Sequence, residues 1–306
     1  MSRVGVVCGG SGSSKFVRAI SKTWNHSDLG FIANVGDNFW YHGLYVCPDV
    51  DILTYALNDE LDTERGWGIR SDTLVVKEAL ARLDPDQSWF SLGDKDLALT
   101  IRRTELMKQG KRLSEITKQF CKIFKIEHEV IPATDDSVRT YMNTSSGKLH
   151  LQEYWVKLRG EPKVSRVMYV GLKIAKPNKR LSDYLSSKVI ICPANPITSI
   201  SPTIGLKGVQ STLVKAKVVA VSPFIGNKAI SGPAGRLMQS MGMEASSFGV
   251  AKLYSKFLKV LLVDDKEEPS IVTKIRDLGV ECVKTDTMIT DDFTGREIAK
   301  ELQNLL

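Results

Sequence analysis

The sequence predicts an α/β protein. The expected architecture is a doubly wound, Rossmann-like fold with a mostly parallel sheet, a small helical insertion and a β-hairpin excursion. Three observations carry that expectation. Short, nearly continuous Val/Ile runs alternate with helical stretches, the pattern of strands buried on both faces. Polar loops follow those runs, at the ends where ligands of open α/β sheets bind. The 306 residues, 42% hydrophobic and 25% charged, suffice for one large core.

In chain order, the first apolar run is Val4 to Cys8, followed by Gly9-Gly10-Ser11-Gly12-Ser13-Ser14-Lys15. From Lys15 to Trp24, helical spacing puts Phe16, Val17, Ile20 and Trp24 on one face. The second run, Leu29 to Ala33, opens into Asn34-Val35-Gly36-Asp37-Asn38. The glycines let a phosphate approach backbone N–H groups, and the helix start favours negative charge. Lys15 stands where a dinucleotide fingerprint has its third glycine, and Asn34 where it has an acid. The Walker spacing is also absent. A phosphorylated ligand is expected, and NAD is not.

Residues 94–126 read as two helices inserted in a core of residues 1–93 and 127–306. One spans about Lys95 to Gln109, with Gly110 as its stop. The other has Ser114 as N-cap, with Ile116, Phe120, Ile123 and Phe124 on one face. Val138 to Asn143 and Lys148 to Val156 alternate like strands around Ser145-Ser146-Gly147, a hairpin signal. Val189 to Cys192, Val218 to Val221, Leu258 to Val263 and Gly279 to Val283 continue the sheet. The total is about six strands.

The net charge of +7 suits anionic ligands. Basic residues are spread along the chain, Lys176 to Arg180 being the nearest thing to a cluster, so no nucleic-acid partner is expected. No stretch approaches the ~18 apolar residues of a membrane span. The first strand starts too early for a signal peptide. Five scattered cysteines (Cys8, Cys47, Cys121, Cys192, Cys282) without a C-x-x-C fit reduced thiols in a cytoplasmic protein. Four histidines (His26, His42, His128, His150) show no metal-ligand spacing.

Acidic loops are the chemical signal. Asp37 follows Gly36, and Pro48-Asp49-Val50-Asp51 closes the next turn. Leu92-Gly93-Asp94-Lys95-Asp96 opens the insertion, and Thr134-Asp135-Asp136 follows it. Loop carboxylates commonly serve as caps and turn formers. Four acidic loops near strand ends of a basic chain also suit magnesium, which is held by one or two carboxylates plus substrate phosphates. Phosphoryl transfer needs that neutralisation and positioning more than a covalent nucleophile. No Ser-His-Asp order in a nucleophile elbow and no activated-Cys signature is present.

A larger set of motifs occurs in order. It comprises Gly9-Gly10-Ser11-Gly12, Asn34-Val35-Gly36-Asp37, His42-Gly43-Leu44, Cys47-Pro48-Asp49-Val50-Asp51, Trp89-Phe90-Ser91-Leu92-Gly93-Asp94-Lys95-Asp96, Thr134-Asp135-Asp136, Asn195-Pro196-Ile197-Thr198-Ser199-Ile200, Ser222-Pro223-Phe224-Ile225-Gly226, Ser231-Gly232-Pro233-Ala234, Gly249-Val250-Ala251 and Asp286-Thr287-Met288. In these residues the chain resembles the 2-phospho-L-lactate transferase (CofD) family of deazaflavin coenzyme F420 biosynthesis, from about Val4 to Leu302.

The resemblance implies a reaction. A lactyl or enolpyruvyl phosphoryl group passes from a guanosine-diphosphate-linked donor to the terminal ribityl hydroxyl of the deazaflavin Fo. GMP leaves, and Mg2+ assists. It also implies a Rossmann-like core with a small helical subdomain and a homodimer. By motif, Gly9, Gly10, Ser11 and Gly12 hold phosphate oxygens, while Asn195, Ser199, Ser222 and Gly226 line the nucleotide side. Asp51 and Ser91 face Fo, and Asp51 is the candidate catalytic residue, orienting the ribityl hydroxyl and accepting its proton. Asp37, Asn38 and Asp51 are the candidate metal ligands, with Asn38 where many members carry an Asp. A sister group shares the Gly-rich loop and the N-P-x-S-I segment but binds nucleotide sugars as a non-catalytic regulator. The Pro48-to-Asp51 and Leu92-to-Asp96 motifs favour the transferase pattern.

Overall fold

The computed structural model describes residues 3–25, 28–226, 228–230 and 232–306; His26 and the Ser231 of the Ser231-to-Ala234 motif lie outside the described residues. The centre is a seven-stranded sheet of β1 (Val4–Cys8), β2 (Leu29–Ala33), β3 (Glu129–Pro132), β4 (Lys188–Ile191), β5 (Lys217–Val221), β6 (Leu258–Asp264) and β7 (Glu281–Thr285). The order is β7-β6-β5-β4-β1-β2-β3, and every neighbouring pair is parallel. Every residue of β1 and β2 is buried, because helices cover both faces. The chain winds outward from β1 to β3, returns beside β1 as β4, and winds the other way to β7. The winding therefore reverses between β1 and β4, and the crevice of such a sheet opens at their carboxyl ends.

Helix α1 (Gly10–Thr23) buries Phe16, Val17 and Ile20 and packs against α2 (Pro48–Leu57) and the C-terminal helix Asp292–Leu305. Trp24 fastens that contact, its Nε1 donating to the Ala299 carbonyl at 2.9 Å. Then come α3 (Val75–Leu83), α4 (Asp94–Lys108) and α5 (Leu113–Ile123). α5 covers the edge strand β3. Among the described residues no helix is long and apolar enough to cross a membrane.

Four details differ from the sequence reading. The Gly-rich segment is the first turn of α1, so the helix starts at Gly10 rather than Lys15. A seventh strand, β3, was hidden by its Glu and Pro ends. α5 is capped at Arg112, whose N–H donates to Glu115 at 2.9 Å, while Ser114 donates from its N–H and hydroxyl to Asp135. The hairpin pairs Arg139–Thr144 with Gly147–His150 only, and Val164–Val170 adds a third strand on the far side of Arg139–Thr144. The chain turns helical over Glu153–Lys157 because local bonds replace the ladder. The His150 N–H donates to Glu153 at 2.9 Å, and His150 Nδ1 accepts from the Gln152 N–H at 3.2 Å.

On one sheet face, Gly5 and Gly30 are register partners beneath Tyr184. A Cβ on Gly30 would sit 2.5 Å from the Tyr184 ring, and one on Gly5 2.6 Å from its carbonyl oxygen. Gly30→Ala should therefore cost roughly 1–3 kcal/mol by overpacking. Adding Tyr184→Ala should return a measurable part of that loss in a double-mutant cycle by urea denaturation. Strict additivity would mean that the ring does not set the constraint.

Candidate functional site

The crevice at the β1/β4 reversal holds a cavity of about 320 Å³. Its floor is the start of α1. Gly9 is pinned there by Ser13, whose hydroxyl accepts from the Gly9 N–H at 3.0 Å and donates to its carbonyl at 2.7 Å. Gly10 has φ +66°, and its Cβ would meet the Ser199 hydroxyl at 3.0 Å; a Cβ on Gly9 would meet Ser199 at 2.8 Å. Only glycines allow the two loops to approach this closely. Ser11 and Gly12 line the cavity in the first helical turn, where N–H groups have no intrahelical partner.

The loop after β4 forms the opposite wall. Asn195 Oδ1 accepts from the N–H groups of Ile197 and Thr198 at 3.0 and 3.3 Å, so its Nδ2 is left buried and unpartnered at the cavity. A phosphate oxygen would satisfy that donor. Ser199, Ser91, Asp37 and Asp51 also line the cavity. Ser222, Gly226 and Asn38 do not line it. The Ser222 hydroxyl is shared with Ser247 at 2.8 Å and accepts from the Phe224 N–H at 3.1 Å. Gly232 and Pro233 reach the cavity instead.

Four nearly fully buried carboxylates face this space: Asp37, Asp49, Asp51 and Asp96. They fall into two sets. Asn34 Nδ2 donates to Asp37 at 3.2 Å and to Asp49 at 2.8 Å, and Asp49 also accepts from the Gly10 N–H. Burial, then the charge of Asp49, pushes Asp37 well above the usual carboxylate range, against the pull of Asn34. Burial pushes Asp49 up to about 6, with Asn34 and the Gly10 N–H opposing. The structure thus groups Asp37 with Asp49, through Asn34, rather than with Asn38 and Asp51.

The second set is built on α2 and α4. Arg103, fully buried, pairs with Asp51 and donates to the Tyr45 carbonyl at 3.3 Å. Burial raises the Asp51 carboxyl, and Arg103 opposes it. One turn along α2, the Tyr55 hydroxyl donates to Asp96. Burial, then the charge of Asp51, pushes Asp96 up to about 7, while Tyr55 holds it down. Ser91 accepts from Lys77 Nζ at 2.6 Å. Trp67, Phe90 and Trp155 add aromatic surface to the cavity lining.

Asp49, Asp96, Tyr55 and Arg103 are site residues the motif reading did not assign. For Tyr55 and Arg103 the signal is helical spacing from an acid of a noted motif. Asp51 and Tyr55 are four apart on α2, and Asp96 and Arg103 are seven apart on α4, so each pair shares a face.

No Lys, Arg or His side chain is among the described residues lining the cavity. Nor do any three His, Cys, Asp or Glu side chains among the described residues form a metal cage. The donor set still fits a divalent cation of the magnesium type. Such an ion needs one or two carboxylates plus substrate phosphates, and Asp37 and Asp49 are two carboxyls joined by Asn34 beside the α1 start.

Removing the guanidinium from Arg103 should strand the Asp51 charge. Arg103→Met is expected to lose about 3–5 kcal/mol of stability, as for broken buried ion pairs. The Asp51 carboxyl, already raised by burial, loses the partner that opposes that rise. It therefore takes up a proton as pH falls, and the loss should be smaller at pH 5 than at pH 8. Urea unfolding at both pH values measures it, and equal losses would dismiss Asp51 as the charged partner.

Comparison with known proteins places the whole chain among relatives of one family. A family model described as 2-phospho-L-lactate transferase CofD matches residues 4–302. The chain is 36% identical over 302 residues to the 2-phospho-L-lactate transferase of Methanococcoides burtonii, covering 98% of each. It is 38% identical over 270 residues to the protein of that name from Methanocaldococcus jannaschii, covering 86% of each. It is 32% identical over 311 residues to the phosphoenolpyruvate transferase of Streptomyces coelicolor, covering 99% of this chain and 98% of that protein. A solved structure of a Bacillus halodurans protein of the upf0052 family superposes with a TM-score of 0.65 at 16% identity over 99% of both chains, a likeness of fold.

Proposed function

Because this chain belongs to the 2-phospho-L-lactate transferase (CofD) family, we propose that it transfers a phosphoryl-linked three-carbon acid from a guanosine-diphosphate-linked donor to the ribityl hydroxyl of Fo, releasing GMP. The coarser statement, a transferase of coenzyme F420 biosynthesis, follows from the family and its named relatives. The observation that carries the finer reading is the two-ended cavity. One end has the α1 start, the unpartnered Asn195 Nδ2 and the Asp37–Asp49 pair. The other has Asp51 beside Asp96, with Phe90 and Ser91 on the segment that leads into Asp96. The first suits a diphosphate, and the second suits a planar heterocycle carrying a polyol.

Chain residues divide the work. The α1 amides and Asn195 hold and orient phosphate oxygens. Asp51, its charge held by Arg103, orients the ribityl hydroxyl toward phosphorus. Trp67, Phe90 and Trp155 pack on the ring and exclude water from the attack line. A divalent cation held by Asp37 and Asp49 would neutralise the charge that grows between the phosphates as GMP leaves. No cationic side chain of the lining can supply that neutralisation. The protein is expected to work as a cytoplasmic homodimer.

The direct test incubates the protein with Fo, Mg2+ and each candidate donor, lactyl or enolpyruvyl, and identifies products by mass. GMP should appear only when Fo and metal are both present. Turnover undiminished by excess EDTA after removal of bound metal would overturn the metal requirement. Failure to bind Fo, followed by its absorbance, would favour a nucleotide-binding regulator.

The metal reading also has a pH signature. Asp37 and Asp49 have raised folded-state pKa values, so protons must leave the pair before a cation binds, and affinity should fall as pH drops through about 6. Mg2+ should therefore raise Tm at pH 8 by a few degrees, on the order of 2–4 °C per kcal/mol of binding linkage. The gain should shrink at pH 5 and vanish in Asp49→Asn. A Tm gain independent of pH would place the ion elsewhere.

A further inference from the structure

Of the four cavity carboxylates, three have a strong side-chain partner of fixed role. Asp37 and Asp49 are tied by the Asn34 amide at the phosphate floor. Asp51 is taken by Arg103. Asp96 differs: its only side-chain hydrogen bond among the described residues is from the Tyr55 phenol. It sits at the start of α4, with its own N–H donating to Asp72 at 3.2 Å, and it lines the cavity at the end that holds Asp51 and Ser91. Unlike Asp51, it has no hydrogen-bonded cation among the described residues, and it lines the cavity.

We propose that Asp96 is the proton acceptor of the transfer, a catalytic carboxylate poised by Tyr55, while Asp51 orients the hydroxyl. The inference rests on the transferase reading above. In the step, the acceptor O–H bond breaks and its proton moves to a carboxylate oxygen of Asp96. The oxygen electron pair forms the new bond to the phosphorus that bears the three-carbon acid. The bond from that phosphorus to the bridging oxygen breaks, and its electron pair leaves with GMP. Asp96 then returns the proton to solvent, so the cycle closes without another reactant.

The groups facing Asp96 support the assignment. From α2 come the Asp51 charge and the Tyr55 hydroxyl, from the segment before α3 the Asp72 carboxylate, and from its own helix Arg103. Burial and the two neighbouring carboxylates raise Asp96 to about 7, near the optimum for a base working at neutral pH. The Tyr55 phenol, pushed far above its ordinary value by burial and by Asp51 and Asp96, stays protonated and remains a donor. When Asp96 takes the proton, a neutral acid replaces a buried anion, which lowers the electrostatic cost of the pair it forms with Asp51.

The test uses the full chain with Fo, Mg2+ and the donor that the wild type turns over. Asp96→Asn keeps the oxygen that accepts from Tyr55 and removes the basicity. It should lower kcat by about 10²–10⁴, the range for loss of general base catalysis, with the dissociation constant for Fo changed less than threefold. Tyr55→Phe removes the donor that holds Asp96 down, so the acid limb of kcat/KM should move to higher pH. A purely structural Tyr55 would lower Tm without moving that limb. Asp96→Asn with kcat within threefold of wild type, or an unmoved limb in Tyr55→Phe, would overturn the assignment. Wild-type protein that releases no GMP from any donor would instead overturn the transfer reading itself, and the proton step with it.

Discussion

The site depends on one amide. Asn34, at the carboxyl end of β2 and wholly buried, donates to Asp37, Asp49 and the Thr198 carbonyl, and it accepts from the Gly36 N–H at 2.9 Å. These bonds join the loop after β2, the start of α2 and the loop after β4. A buried carboxamide is costly unless its donors and acceptor are matched. Here the matching partners lie on three segments distant in sequence, so the amide is satisfied only when all three are in place. That requirement converts the topological reversal at β1 and β4 into a defined cavity.

Electrostatics then separate the two ends of that cavity. The four buried acids meet three kinds of partner: an amide for Asp37 and Asp49, a guanidinium for Asp51, a phenol for Asp96. Environments that set like groups apart are how one fold assigns distinct roles to identical side chains. Burial raises the Asp37 and Asp49 carboxyls, against the pull of the amide. The guanidinium fixes a charge in place, and the phenol leaves a charge free to take a proton. The overall positive charge of the chain draws anionic substrates, yet the cavity itself turns carboxylates toward them.

Much of this was legible in the sequence, for physical reasons. β1 and β2 are buried on both faces, so their apolar runs show both bounds correctly. The Gly9-to-Gly12 segment and the Asn195 loop declare themselves through residues that turns and close approaches require. β3 was missed because an edge strand of four residues, with Glu129 and Pro132 at its ends, has too little periodicity to register. Arg103 was missed for a different reason. An arginine in a charged helix ordinarily faces water, and only tertiary packing brings this one, 1% exposed, onto Asp51. Asp49 and Asp96 sat in motifs already noted, but their depth, not their spacing, distinguishes them from turn formers. Ser222 and Gly226 belong to the right strand end, yet Ser247 takes the Ser222 hydroxyl and turns it from the cavity.

The donor acid can be considered in the same terms. Curated relatives carry two names, one for phospholactate and one for phosphoenolpyruvate transfer. Lactyl and enolpyruvyl groups present the same carboxylate and the same phosphorus. Among the described residues the lining has no Lys, Arg or His, so it offers no cationic side chain with which to separate them. The difference is one of shape, tetrahedral against planar at the carbon that bears oxygen. Packing surfaces can read that difference, and a misfit of one methyl-sized group against an apolar wall is worth about 1–3 kcal/mol. Ile52, Leu92, Trp67 and Trp155 are the walls available. On the proposed reading, phosphate is held by the α1 amides and Asn195, apart from these walls, so donor preference would change at the walls while the transfer chemistry stays the same.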